Sequence, residues 1–225
     1  MKRWTAIFLL IVSVAWARPA WEAKKLSESG KATASTMAYT ATIRYPNCPA
    51  GLAMARTEMA SFRKNLQEVG AAPPDNPMKA SLDLSYEVVF QGPSLSSLYV
   101  SGSSDFAGAH PSVLQRALLI NPQGNALSAE QCFRKGGGWR KLLRDYCRAR
   151  LKQRLKDGDP DWISKGTDAT SENYQVVLPL AKQLRVIFTD YQVTSHAEGP
   201  QEVLVPYSVL RPEIDPKGPL AFALQ

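Results

Sequence analysis

Only two histidines, His110 and His196, are available in 225 residues for proton transfer or metal ligation. Imidazole is the side chain best suited to acid–base work near neutral pH and the commonest metal ligand, so this scarcity narrows the chemistry at once. No HxxH or CxxC spacing occurs, and Cys48, Cys132 and Cys147 form no cluster with either histidine. The chain therefore carries no metal-ligand set and implies no cofactor. No GxSxG elbow is present to raise a serine nucleophile, and the Ser/His/Asp combinations are of the kind chance supplies. Glu198 and Glu202 could in principle act as a carboxylate pair on a glycoside, but the sequence fixes no separation between them; solvated carboxylates are the plainer reading. His110 reads as a turn histidine with a backbone partner. The residue types point to binding rather than catalysis.

The elements that must position these residues alternate strands with single helices. Met37–Tyr45 reads as a strand stopped by Pro46-Asn47-Cys48-Pro49. Leu52, Met59, Phe62, Leu66 and Val69 then recur at helical steps, giving one apolar face over 52–69. Ala71–Lys79, with Pro73, Pro74 and Pro77, reads as a linker and the boundary between a small N-terminal βα portion (37–79) and the rest (80–225). Leu82, Leu84, Tyr86, Val88 and Phe90 alternate as a strand, Gln91-Gly92-Pro93-Ser94 turns the chain, and Leu95–Val100 returns. Val113–Ile120 is a further strand ending in the polar turn Asn121–Asn125. A short helix follows Ser128, Gly136-Gly137-Gly138 breaks it, and a longer basic helix begins. Tyr174–Leu180, Leu184–Val193 and the residues after Pro200 complete the strands, with a short helix over Tyr207–Leu210. The expected fold is α+β, a two-layer mixed α/β sandwich with a mainly antiparallel sheet and a few packed helices.

Met1-Lys2-Arg3, the apolar run Trp4–Trp16 and the small-x-small site Ala15-Trp16-Ala17 read as a secretory signal peptide over 1–17. The run is too short for a membrane anchor, and no later segment is long and apolar enough to span a bilayer. A periplasmic or secreted chain of about 208 residues is expected, with a flexible start over 18–36. In an oxidising compartment three cysteines suggest one disulfide and a leftover thiol. Cys132 with Cys147 is the preferred pair, and either one with Cys48 stays open.

The segment Leu184–Ile214, with its turn His196-Ala197-Glu198-Gly199-Pro200, resembles the C-terminal signature of one extracytoplasmic domain family. Its members are the ectodomains of RsiV-type anti-sigma factors, which sense lysozyme, and the non-catalytic N-terminal region of PdaC-type peptidoglycan deacetylases. The family's middle region is similar too: a Gly-Gly-Ala-His turn, a strand ending in an Asn-and-Gly turn, then a short helix containing Phe. The corresponding residues here are Phe106–His110, Ala117–Gly124 and Leu127–Phe133. Ala107 stands where Gly is usual and His196 where the family often has an aromatic residue. The resemblance spans Ile43–Ile214. It implies a mixed α/β two-layer fold for the C-terminal part, a smaller α/β unit before it, a non-catalytic role and a lysozyme-like partner.

Charge sharpens two expectations. Ten Lys or Arg and one acid, Asp145, lie between Arg134 and Lys156, while Trp139, Leu143, Tyr146, Cys147, Leu151 and Leu155 form an apolar stripe. Arg140, Lys141, Arg144, Arg148 and Lys152 could meet an anionic surface such as wall polymer or peptidoglycan, or simply form a solvated cationic back. A leader argues against nucleic acid as partner. Asp161–Gln225 instead has eight acids against five bases. Common lysozymes are cationic, so capture of a lysozyme-like muramidase would use this acidic side. The residues expected to contact it are Ser103, Ser104 and Asp105 in one segment and Ser195, His196 and Glu198 in the other.

Overall fold

The computed structural model of the chain describes residues 21–32, 37–69, 79–108 and 110–225. The expected signal peptide and most of the proline-bearing linker lie outside the described residues. Nine strands and four α-helices are found among those described. Six strands, β1 (Ala23–Lys31), β2 (Ala38–Pro46), β3 (Lys79–Gln91), β4 (Ser96–Asp105), β5 (Ser112–Ile120) and β6 (Ala126–Leu127), pair in sequence order. All neighbours are antiparallel except β2 and β3, which run parallel because α1 (Pro49–Glu68) crosses between them. The sheet thus runs continuously across the expected boundary near Lys79. β7 (Val177–Pro179), β8 (Gln183–Phe188) and β9 (Gln201–Pro206) form a second, antiparallel sheet.

Each sheet carries its own helical layer, so the α+β architecture with mainly antiparallel pairing is as the patterning predicts. α1 starts at Cys48, whose Sγ accepts the Gly51 N–H at 3.4 Å, with Pro49 in the first turn where its missing N–H costs nothing. It lays Ala55, Met59, Phe62 and Leu66 on Ile43, Leu82 and Leu84. Strand alternation turns Val89, Tyr99 and Ala117 to the opposite face, where they meet Val176, Leu178 and Ile187 of the second sheet. That sheet's remaining face, including Leu184, Val186, Phe188, Val203 and Val205, packs on α2 (Trp139–Arg154). α2 presents Trp139, Leu143, Cys147 and Leu151, the stripe read from the sequence, and all four are buried.

The start of α2 is built around a close approach. A Cβ on Gly137 would stand 2.0 Å from the Glu213 carboxylate and 2.9 Å from the Arg134 carbonyl, so glycine leaves the room in which that carboxylate accepts the Gly138 N–H at 2.8 Å. Glu213 thereby supplies the anion and the acceptor that a helix N-terminus favours. The same segment ties back through Arg134 N–H to Glu213 C=O at 2.8 Å and a bridge between Phe133 and Ile214.

Three expectations change. β1 forms where a flexible start was expected: its sequence offers only Leu26 to the core, but every residue pairs with β2, and Trp21 just before it donates Nε1–H to Ser96 Oγ at 3.0 Å. A seven-residue helix, α3 (Pro160–Gly166), occupies a stretch without an expected element, capped by Asp159. The Cys132–Cys147 disulfide is not formed, and all three cysteines are free thiols. Cys147 lies in the buried stripe of α2 and Cys132 ends the short turn of helix Ala129–Cys132, so each fills core volume instead. Burial pushes both thiols up to about 12, which suppresses the reactive thiolate.

Iodoacetamide at pH 8 is therefore expected to modify half-buried Cys48 in the folded protein and to spare Cys132 and Cys147 until denaturant is added; an unfolding midpoint that falls on adding reductant would reinstate the disulfide. Replacing Glu213 by Ala should cost about 1 kcal/mol in urea unfolding, as loss of a helix cap does, and Glu213→Gln, which keeps an acceptor, should cost less.

Candidate functional site

Two loops meet at one end of the molecule. The first closes the β4–β5 hairpin: Asp105 Oδ1 accepts the Ala107 N–H at 2.7 Å, and Ala107 takes a left-handed backbone, φ 61°, to reverse the chain. His110 stands exposed on this hairpin. The second, residues 189–200, joins β8 to β9 and is pinned at its base. Gln192 accepts the Thr189 N–H at 3.1 Å and donates to the carbonyls of Gly166 and Asn173, both at 2.9 Å. Trp162 of α3 donates its indole N–H to the Tyr191 carbonyl at 2.9 Å, holding Tyr191 at φ 63°. Thr194, itself buried, donates to Glu198 Oε2 at 2.8 Å.

His196 joins the two loops. Its ring stacks on His110 with centroids 4.7 Å apart and on Tyr191 at 5.5 Å, each 13° from parallel. Its Nδ1 lies 3.3 Å from Asp190 Oδ2, too poorly aligned to bond; Nδ1 and Asp190 Oδ1 are buried polar atoms without a hydrogen bond among the described residues. Offset or parallel ring contacts of this kind favour one arrangement of neighbouring side chains over others, and here they bring the exposed hairpin against the second loop. Residues 103–115 and 186–204 contain Asp105, Asp190, Glu198 and Glu202 and not one Lys or Arg.

The expected contact residues divide. Ser195 and His196 are half-buried and Glu198 exposed on the second loop; Ser103 and Asp105 are half-buried at the end of β4. Ser104 is corrected: it is 7% exposed, because strand alternation puts it on the α1 face with Leu98 and Val100. Asp190 and Tyr191 belong to the site and were missed, since the apolar run from Leu184 reads as a strand through Val193. The strand ends at Phe188, and the polar pair Thr189-Asp190 was the available signal. Glu198 and Glu202 hold separate partners, Thr194 and Arg185 (2.7 Å), and do not form a shared acid pair. Among the described residues no group of three His, Cys, Asp or Glu is placed to hold a metal ion.

The basic helix is largely engaged within the molecule. Arg140 pairs with Glu130 and lies over the Trp139 ring at 4.4 Å, and Arg144 pairs with Asp145 at 2.8 Å. Arg148 reaches α3 and beyond it, donating to Ser164 C=O at 2.6 Å, Asp168 at 2.7 Å and Thr167 Oγ1 at 2.9 Å. Lys141 and Lys152 are the members of the expected anionic-surface set left exposed without an ion pair among the described residues.

Fold and loops together describe a two-sheet α+β domain with a composite loop surface. Residues 133–208, from Phe133 into α4 (Tyr207–Leu210), match a family described as "Protein of unknown function (DUF3298)". Two solved structures share the architecture. A member of that family from Bacteroides fragilis is 16% identical with a TM-score of 0.59, covering 92% of this chain and 98% of its own. A family protein from Pseudomonas aeruginosa PAO1 is 17% identical with a TM-score of 0.60, covering 87% and 95%. No curated protein matches the sequence. Likeness at this identity establishes the fold.

Because Ala107 holds a left-handed backbone that glycine adopts without steric cost, Ala107→Gly should stabilise the protein by about 0.5–1 kcal/mol in chemical denaturation; a destabilised variant would show that the hairpin is not in this conformation.

Proposed function

We propose that the protein is a secreted or periplasmic, non-catalytic binding protein that captures a lysozyme-like muramidase as an inhibitor or immunity-type protein. The observation that carries this reading is the His110–His196 stack, which joins the β4–β5 hairpin to the 189–200 loop, two segments that bring Asp105, Asp190 and Glu198 and contribute no Lys or Arg of their own. A rigid sheet that presents paired loops is a common way to build a plug for an enzyme cleft. Carboxylates on such a surface steer a cationic partner into place. Thr194 and Gln192 fix the second loop before the partner arrives, which lowers the ordering cost of association. The resemblance to lysozyme-sensing ectodomains supports the choice of partner. The alternative, an envelope-associated module using the basic helix, is favoured by the net charge of about +5 that the chain keeps once Lys2 and Arg3 leave with the leader, but most arginines of that helix already serve internal contacts.

The test is inhibition of a panel of muramidases by the purified protein at near-physiological salt. Stoichiometric inhibition is expected, weakened at least about tenfold (~1.4 kcal/mol) by Glu198→Lys and by His196→Ala, and unaffected by Lys141→Glu with Lys152→Glu. Absence of inhibition and of binding across the panel would overturn the proposal, and loss of binding only in the lysine variants would transfer the function to the helix.

A further inference from the structure

β9 is the outer strand of its sheet, so one row of its backbone groups has no strand partner. Arg154 Nη1 donates to the Glu202 carbonyl at 2.8 Å from that open side, which identifies Glu202 as outward-facing. Backbone direction alternates along a strand, so the N–H and C=O of Leu204 face the same way, while Val203 and Val205 bond inward to β8. The Leu204 side chain is 42% exposed. Beside this edge runs a groove of about 580 Å³ between β9 and the C-terminal half of α2, lined by Arg150, Gln153, Arg154, Glu202, Val203 and Leu204.

We propose that this edge is a second interaction surface, on the strand that follows the 189–200 loop, that receives an extended acidic peptide segment of a partner protein as a fourth strand beside β9. Backbone pairing to Leu204 would supply the affinity, as in other cases of strand addition. Charge sets the class of peptide. Arg150 lies over the Tyr146 ring at 5.7 Å, and Arg154 bonds only to neutral oxygens, Glu202 C=O and Gln201 Oε1. The single carboxylate of the groove, on Glu202, is held by Arg185 at 2.7 Å. Two guanidinium charges are thus left to meet carboxylates on the incoming strand. A second copy of this chain fits less well, because two-fold pairing of the edge brings each arginine pair toward its own equivalent.

The experiment measures binding of a fluorescent, end-blocked six-residue peptide alternating glutamate and valine to the full mature chain. Controls are a lysine–valine peptide and a glutamate–valine peptide methylated on alternate backbone nitrogens. The glutamate peptide is expected to bind at least tenfold tighter than either control. Leu204→Pro, which removes an outward N–H and leaves inward pairing intact, should weaken it by a similar factor, and Arg150→Glu with Arg154→Glu should reverse the preference between glutamate and lysine peptides. Equal binding of the methylated peptide, or no binding of the glutamate peptide, overturns the proposal. So does concentration-dependent dimerisation abolished by Leu204→Pro, which would assign the edge to a second copy. Comparison of the two peptides on the unaltered chain keeps the test decisive should the proline variant fail to fold.

Discussion

A small sheet that is apolar on both faces must bury each of them against another layer, and the fold is organised around covering β7–β9 on both sides. Val176, Leu178 and Ile187 press on Tyr99 and Ala117 of the large sheet, while Val186, Phe188 and Val205 press on α2. Each fully buried side chain of this kind contributes roughly 1.5–3 kcal/mol. The double burial dictates the sequence of α2, whose inner stripe must be apolar, and of β4 and β5, which must offer apolar groups to both faces. It also places the 189–200 loop: once β8 is clamped between layers, the chain leaving Phe188 emerges beside the β4–β5 hairpin, where His196 meets His110.

The cationic surface of α2 takes on a different meaning in this setting. Exposed ion pairs are individually worth little, but Arg148 combines a carboxylate, a carbonyl and a hydroxyl from three positions around α3. That geometry fastens a seven-residue helix too short to persist alone, and α3 in turn orients Trp162, whose indole holds the Tyr191 carbonyl. The basic helix and the acidic loop are therefore mechanically connected, although their charges point to different partners.

Helical spacing made α1 and α2 legible, because Met59, Phe62 and Leu66, and Leu143, Cys147 and Leu151, repeat on one face. Strict alternation exposed β3 in the same way. β1 was hidden because an edge strand with one apolar residue is held mainly by its backbone, which carries no side-chain pattern. α3 was hidden by length, though Asp159-Pro160 is an ordinary helix start. The cysteine pairing failed because proximity along the chain does not reveal direction: Cys147 shares the inward phase of Leu143 and Leu151. The inward phase of Ser104 could have been counted from Leu98 and Val100. The histidine stack could not, since it joins two loops through tertiary packing alone.

The Glu213 cap links α2 to a residue 75 positions downstream of its first N–H partner. The cap therefore closes over a loop of 75 residues and cannot form before the intervening strands have come together. The meander β3–β6 has only sequential pairings to make and can close early, whereas the first turn of α2 stays hydrated until Glu213 is in place. Its completion thus requires the C-terminal segment, and truncations before Glu213 leave the helix that covers the second sheet open at its leading end.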